Sequence, residues 1–280
     1  MMKRKCSVNL FLVFCVVFLP RDVFSAPSQQ FPFGVIEGVD VQAITSGKTV
    51  YAYYGIPFAE PPVGPLRFRP PVPYAGRNPN NVISSNSFRA SCMQEAPPVP
   101  TTTSEDCLHL NIFAPSASSQ TERKVMVWIH GGGYILGDVR PYTPTDLVAD
   151  YDVVVVTIHY RLGFFGFMST GDEASPGNNG LRDQVLALQW VKDNIRAFGG
   201  DPDDVTLFGE SAGAGSVSFL SLSPYSKGLF TKAIMQSGTV FSPWSIISPA
   251  RARSNFYKMA GQLNCLPWWY LVGRHESPIM

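Results

Sequence analysis

Ser211 stands at the centre of Gly209-Glu-Ser-Ala-Gly213, a G-x-S-x-G pattern. A serine hydroxyl is a weak nucleophile until a fold exposes it and a base takes its proton. The pattern meets the first need when a strand runs into it and a helix leaves it. The turn is then so sharp that the residues two positions away must be small, and the central hydroxyl is thrust out at the carboxyl end of a sheet, against a helix N-terminus. Asp204-Val-Thr-Leu-Phe208 reads as the strand, and Ala212 to Leu222 as the helix. A glycine-rich turn without chemistry would use the same letters; the flanking elements separate the two readings. The chemistry indicated is attack on a carbonyl carbon to give an acyl-serine.

Such an attack builds charge on the carbonyl oxygen, and preorganised donors stabilise it best. His130-Gly-Gly-Gly133 follows the apolar run Lys124-Val-Met-Val-Trp-Ile129. Three glycines let backbone N–H groups converge where side chains would obstruct them. The N–H of Ala212 adds a further donor. A merely flexible loop is the plainer reading of the glycines, but the loop and the serine turn together are more specific than either alone.

These residues need a scaffold. Lys124 to Ile129 and Asp152 to Ile158 show no polar alternation, as expected of strands inside a parallel sheet covered on both faces. Between the second of these and Asp204–Phe208, Leu181, Val185, Leu188, Val191, Ile195 and Phe198 recur at steps of three and four. That spacing predicts a helix ending at Gly199-Gly200, hence a βαβ unit. Lys232 to Met235 reads as a further core strand, and Ser248-Pro249 caps a last helix with Phe256, Met259, Ala260 and Leu263 on one face. Thr49 to Tyr54 is β-prone, and Pro57 to Pro79 is irregular. The expected architecture is α/β with a mainly parallel central sheet covered by helices.

Composition narrows the partners. Hydrophobic residues make up 45% and charged residues 15% of 280, with a formal net charge of +1. Nothing there favours nucleic acid or an anionic membrane surface. Lys3, Arg4 and Lys5 precede the apolar run Val8 to Leu19, which reads as a signal peptide over residues 1–25, cleaved near Ser25, for a secreted protein without stable membrane insertion. Cys6 and Cys15 leave with it, so Cys92, Cys107 and Cys265 remain. The loop from Cys92 to Cys107 suits a disulfide better than a metal site, and the Cys and His residues are too scattered for zinc spacing. No dinucleotide fingerprint is present, and no cofactor is implied.

The chain resembles the type-B carboxylesterase/cholinesterase family of α/β-hydrolases, which also includes the non-catalytic neuroligins. The resemblance rests on Tyr54-Gly-Ile-Pro-Phe-Ala-Glu-Pro-Pro-Val-Gly64, Leu66-Arg-Phe-Arg-Pro70, Glu105-Asp-Cys-Leu-His-Leu-Asn111, His130-Gly-Gly-Gly133, Tyr160-Arg-Leu-Gly163, Gly177-Asn-Asn-Gly-Leu-Arg-Asp-Gln184 and Gly209-Glu-Ser-Ala-Gly-Ala-Gly215, in family order from about Phe33 to Cys265. It implies a carboxylic ester hydrolase with Ser211 as nucleophile and Gly132, Gly133 and Ala212 as the oxyanion hole. It further implies a disulfide between Cys92 and Cys107 and a structural ion pair between Arg67 and Glu105. The retained serine argues against a neuroligin-like binding protein. Residues 93 to 106 hold no aromatic side chain where cholinesterases place a tryptophan, so the resemblance points to lipophilic esters rather than choline esters. Glu210 also departs from the Gly-Gln start common in juvenile hormone esterases.

In α/β-hydrolases an acid and then a histidine follow the serine. After Ser211 the only histidine is His275 and the only acid is Glu276. Adjacent residues cannot serve the two ends of one imidazole. The expectation is therefore a partial hydrolase domain over 26–265, an aperiodic divergent tail over 266–280, and an inactive truncated isoform as the alternative to an active enzyme. The expected physical cost is an unpaired apolar strand at the cut edge of the sheet.

Overall fold

The computed structural model describes residues 27–265, apart from 77, 79, 100 and 118. The expected signal peptide and the tail over 266–280 lie outside the described residues.

One seven-stranded sheet organises the chain. Its strands are β1 (Val39–Gln42), β2 (Thr49–Pro57), β3 (His109–Pro115), β4 (Arg123–Ile129), β5 (Val154–Ile158), β6 (Gly200–Glu210) and β7 (Lys232–Gln236). They lie in the spatial order β7-β6-β4-β5-β3-β2-β1. The pairs β5–β4, β6–β4 and β6–β7 are parallel, and β5–β3, β2–β3 and β1–β2 are antiparallel. The parallel part carries the βαβ crossover and the serine turn. Two small sheets flank it: Ser28–Phe31 with Gly34–Glu37 and Val82–Ser84, and Ser91–Cys92 with Thr103–Ser104.

All five residues of β5 are buried. This is the consequence of burying both faces, and it explains why Val154-Val-Val-Thr-Ile158 shows no alternation. The helices are α1 (Thr145–Tyr151), α2 (Gly163–Phe167), α3 (Asn179–Asn194), α4 (Ala212–Leu222) and α5 (Pro249–Gln262). A 3-10 turn over Ile195–Phe198 extends α3 to Gly199, whose φ of 80° ends the helix in the left-handed region that favours glycine. At α5 the Ser248 hydroxyl accepts the Arg251 N–H at 3.3 Å, with Pro249 in the first turn.

The sequence pattern is corrected at four places. Leu181 and Val185 are half-buried and line a surface groove of about 520 Å³; Asp183 and Gln184 are the buried residues of that turn. Their burial is possible because both are partnered. Arg161 grips Asp183 through Nε at 2.8 Å and Nη2 at 2.7 Å, and Gln184 donates to the Ser216 hydroxyl at 3.1 Å. Strand β6 starts at Gly200, opposite Arg123, with an irregularity before Val205. Leu263 lies past the end of α5 and is exposed. Lys232 to Gln236 forms an edge of the sheet among the described residues, with every residue exposed, because within them β6 alone pairs with it.

Candidate active site

The serine turn is built by close approach. Ser211 has φ 54° and ψ −118° between the end of β6 and the start of α4. A non-glycine residue there is strained, and its neighbours must hold it. Its N–H donates to the Gln236 carbonyl at 2.8 Å, and its carbonyl accepts the Gly215 N–H at 2.9 Å. A Cβ on Gly209 would lie 2.6 Å from the carbonyl carbon of Gly213, and a Cβ on Gly213 would overlap the Ile129 carbonyl. Both glycines of the pattern are therefore dictated by contact, with each other and with the end of β4.

The His130–Gly133 stretch leaves β4 beside this turn. A Cβ on Gly131 would meet Glu210 Oε2 at 2.8 Å and Ser211 Cβ at 3.1 Å, so the loop lies directly against the serine. Gly132 and Gly133 have φ of 109° and 63°. The Gly132 carbonyl accepts the N–H groups of Ile135 and Leu136, each at 3.1 Å, which curls the loop. Among the described residues no backbone acceptor takes the N–H of Gly132 or Gly133. Ala212 is the first residue of α4, where N–H groups have no intrahelical partner.

The bonds of Gln94 and of Asp138, which no motif signals, hold the loop in place. Gln94 and Gly137 exchange hydrogen bonds of 2.8 and 2.9 Å. Asp138, fully buried in its side chain, accepts from the Ser91 hydroxyl, the Arg140 N–H at 2.7 Å and Arg140 Nη1 at 2.5 Å. Burial pushes the Asp138 pKa up, but the bonds from Ser91 and Arg140 outweigh it and leave the carboxyl below its ordinary value. Cys92 and Cys107 form a disulfide, closing the loop that holds Gln94 and begins directly after Ser91. Arg67 Nε and Nη2 reach the two oxygens of Glu105 at 2.5 and 2.6 Å.

Next to the loop an apolar cleft of about 200 Å³ opens between Tyr134, Ile135, Phe164, Phe167, Ile247 and Phe256. The described histidines are buried. The His130 ring stacks on Tyr160 at 4.5 Å, with Nδ1 2.9 Å from the Gly131 carbonyl. His159 has no hydrogen-bond partner for either ring nitrogen among the described residues, nor His109 for Nδ1. No imidazole among the described residues hydrogen-bonds the Ser211 hydroxyl, and His275 and Glu276 lie outside them.

A sequence model of the carboxylesterase family matches residues 25–276. Acetylcholinesterase of Gallus gallus is 42% identical, over 91% of this chain and 36% of that protein. Carboxylesterase 1D of Rattus norvegicus is 45% identical over 79% of this chain and 42% of its own. Liver carboxylesterase 1F of Rattus norvegicus is 44% identical over 91% and 48%. The chain spans between about a third and a half of the length of these curated relatives.

Proposed function

The chain belongs to the carboxylesterase family, and from that premise we propose that it carries the acyl-transfer site of a serine carboxylic ester hydrolase, with Ser211 as the nucleophile. The observation that carries this reading is the strained backbone of Ser211, φ 54°, wedged against Gly131 at the head of a helix. In this reading Ser211 Oγ bonds to the ester carbonyl carbon and gives its proton to a base. The oxyanion draws on the N–H groups of Gly132, Gly133 and Ala212. Collapse of the tetrahedral adduct releases the alcohol, and water then hydrolyses the acyl-serine. The apolar cleft beside Tyr134 and Ile135 favours a lipophilic small-molecule ester. The proton acceptor is not one of the described imidazoles, so catalytic competence rests on a base from residues outside them. Secretion through the signal peptide of residues 1–25 is part of the same proposal.

The test is labelling with a fluorophosphonate, read by intact mass, for wild type beside Ser211→Ala. A single adduct on wild type alone is expected where a base reaches Ser211. Labelling that survives Ser211→Ala would remove Ser211 from the role. A folded wild type that takes no label would make this chain an inactive relative.

A further inference from the structure

The glycine loop starts at a buried histidine that the proposed chemistry does not use. His130 is 1% exposed. Its ring stacks on Tyr160 with centroids 4.5 Å apart, and the Tyr160 hydroxyl donates to the His130 carbonyl at 3.0 Å. Nδ1 lies 2.9 Å from the Gly131 carbonyl oxygen. A carbonyl only accepts, so Nδ1 is the protonated nitrogen. Burial lowers the His130 pKa, against opposing pulls from the Gly131 carbonyl and Asp138. The ring is therefore neutral at neutral pH and its Nε2 is bare, without a hydrogen-bond partner among the described residues. Gly137 backs the bonded edge of the ring: a Cβ there would overlap Nδ1 and lie 2.5 Å from the Gly131 carbonyl oxygen.

We propose that His130 is a positioning residue: its Nδ1–H, bonded to the Gly131 carbonyl, fixes the peptide that carries the Gly132 N–H. The Gly131 C=O and the Gly132 N–H belong to one planar unit. No peptide bond among the described residues is cis, so the two point in opposite directions. A bond that holds the carbonyl thus aims the N–H. This peptide lies between two glycines, the residues that resist its rotation least. The Gly132 N–H itself has no backbone acceptor among the described residues, so the restraint comes from the carbonyl side. Gln94 holds Gly137 through bonds of 2.8 and 2.9 Å, and the disulfide-closed loop thereby backs the ring that aims the donor. A donor fixed before reaction stabilises an oxyanion without reorganising. Its use in catalysis rests on the acyl-transfer reading of Ser211; the orientation itself does not.

Two variants of the full chain separate the bond from the stack. His130→Phe keeps an aromatic ring on Tyr160 and removes the donor. His130→Asn places an amide N–H near the position of Nδ1 and removes the ring. Nitrogen NMR of the wild-type ring should show Nδ1 protonated and Nε2 bare. The residual dipolar coupling of the Gly132 N–H, which reads its direction, should collapse in His130→Phe and persist in His130→Asn, with the Ile129 amide unchanged in both. Fluorophosphonate labelling of Ser211 should slow about ten- to hundredfold in His130→Phe, at or below the loss from deleting one oxyanion donor outright, and should largely recover in His130→Asn. A ring protonated at Nε2 in wild type overturns the proposal, and needs no variant to fold. So does a Gly132 coupling that survives His130→Phe, or one lost in His130→Asn alone, which would give the role to the stack. A wild type that takes no label, with the Gly132 coupling still lost in His130→Phe alone, supports the positioning and removes the acyl-transfer reading instead.

Discussion

The backbone N–H of Ser211 is fastened to the carbonyl of Gln236, the last residue of the edge strand, at 2.8 Å. The nucleophile candidate thus takes part of its support from the least covered strand of the sheet. Gly238, two residues further on, completes the clamp: a Cβ there would lie 2.6 Å from the Ser211 carbonyl oxygen and 3.0 Å from the Trp244 ring.

Gly238→Ala should therefore loosen the serine turn without unfolding the sheet. Forcing a methyl group into such a contact costs about 1–3 kcal/mol. Amide exchange at Ser211 and Gly215 should accelerate about ten- to hundredfold, read by hydrogen exchange, while amides of β5 keep their protection. Unchanged exchange at Ser211 would show that the turn does not depend on this clamp.

Asp183→Ala should be among the most damaging single changes. It leaves Arg161 buried, with 3% of its side chain exposed, and without its carboxylate. Breaking a buried pair in this way costs about 3–5 kcal/mol. Chemical denaturation should show that loss, and Arg161→Met with Asp183→Leu should recover much of it. Equal damage from the single and double changes would place the role elsewhere.

Cys92→Ser should lower stability by about 3 kcal/mol, the chain-entropy value for a loop of this size, since the disulfide spans a sequence separation of 15. Because that loop holds Gln94 and begins directly after Ser91, which grip the end of the glycine loop, the Gly137 amide should lose exchange protection as well. A melting temperature equal to wild type would contradict the assignment.

Acid should unfold the protein through its histidines. Burial lowers the His159 pKa to about 3, helped by neighbouring His130, and that of His109 to about 4, against an opposing pull from Asp106. Both are neutral in the fold, whereas the unfolded chain takes up their protons below about 6.5. Their contribution is complete above that pH and falls as pH drops through 6.5 towards 4 and 3. The loss from His109 alone is about 3 kcal/mol. His109→Gln should flatten the fall of stability measured between pH 6.5 and 4; an unaltered slope would exclude it as a source.

The serine turn and the glycine loop were legible because their determinants are local: an apolar run, glycines forced by contact, a helix start. The Arg161–Asp183 pair was not, because its partners stand on different elements and a pairing between elements leaves no local pattern. The same blindness affected the face of α3. Periodicity counted Leu181 and Val185 as core and passed over Asp183 and Gln184, whose burial depends on partners that no helical pattern shows. Lys232 to Met235 has a core strand's composition, but its exposure is a property of the sheet order. The bonds from Gln94 to Gly137 and from Ser91 to Asp138 join the glycine loop to a segment in and beside the disulfide, and no motif announces them.

The positive φ of Ser211 has a further meaning. Glycine reaches that backbone region without steric penalty, whereas serine holds it at a cost of about 1–3 kcal/mol. Mutational drift judged on folding alone would favour glycine at position 211. The strain at Ser211 is thus a cost that folding alone does not require, and it is the physical ground on which the proposed role of its hydroxyl rests.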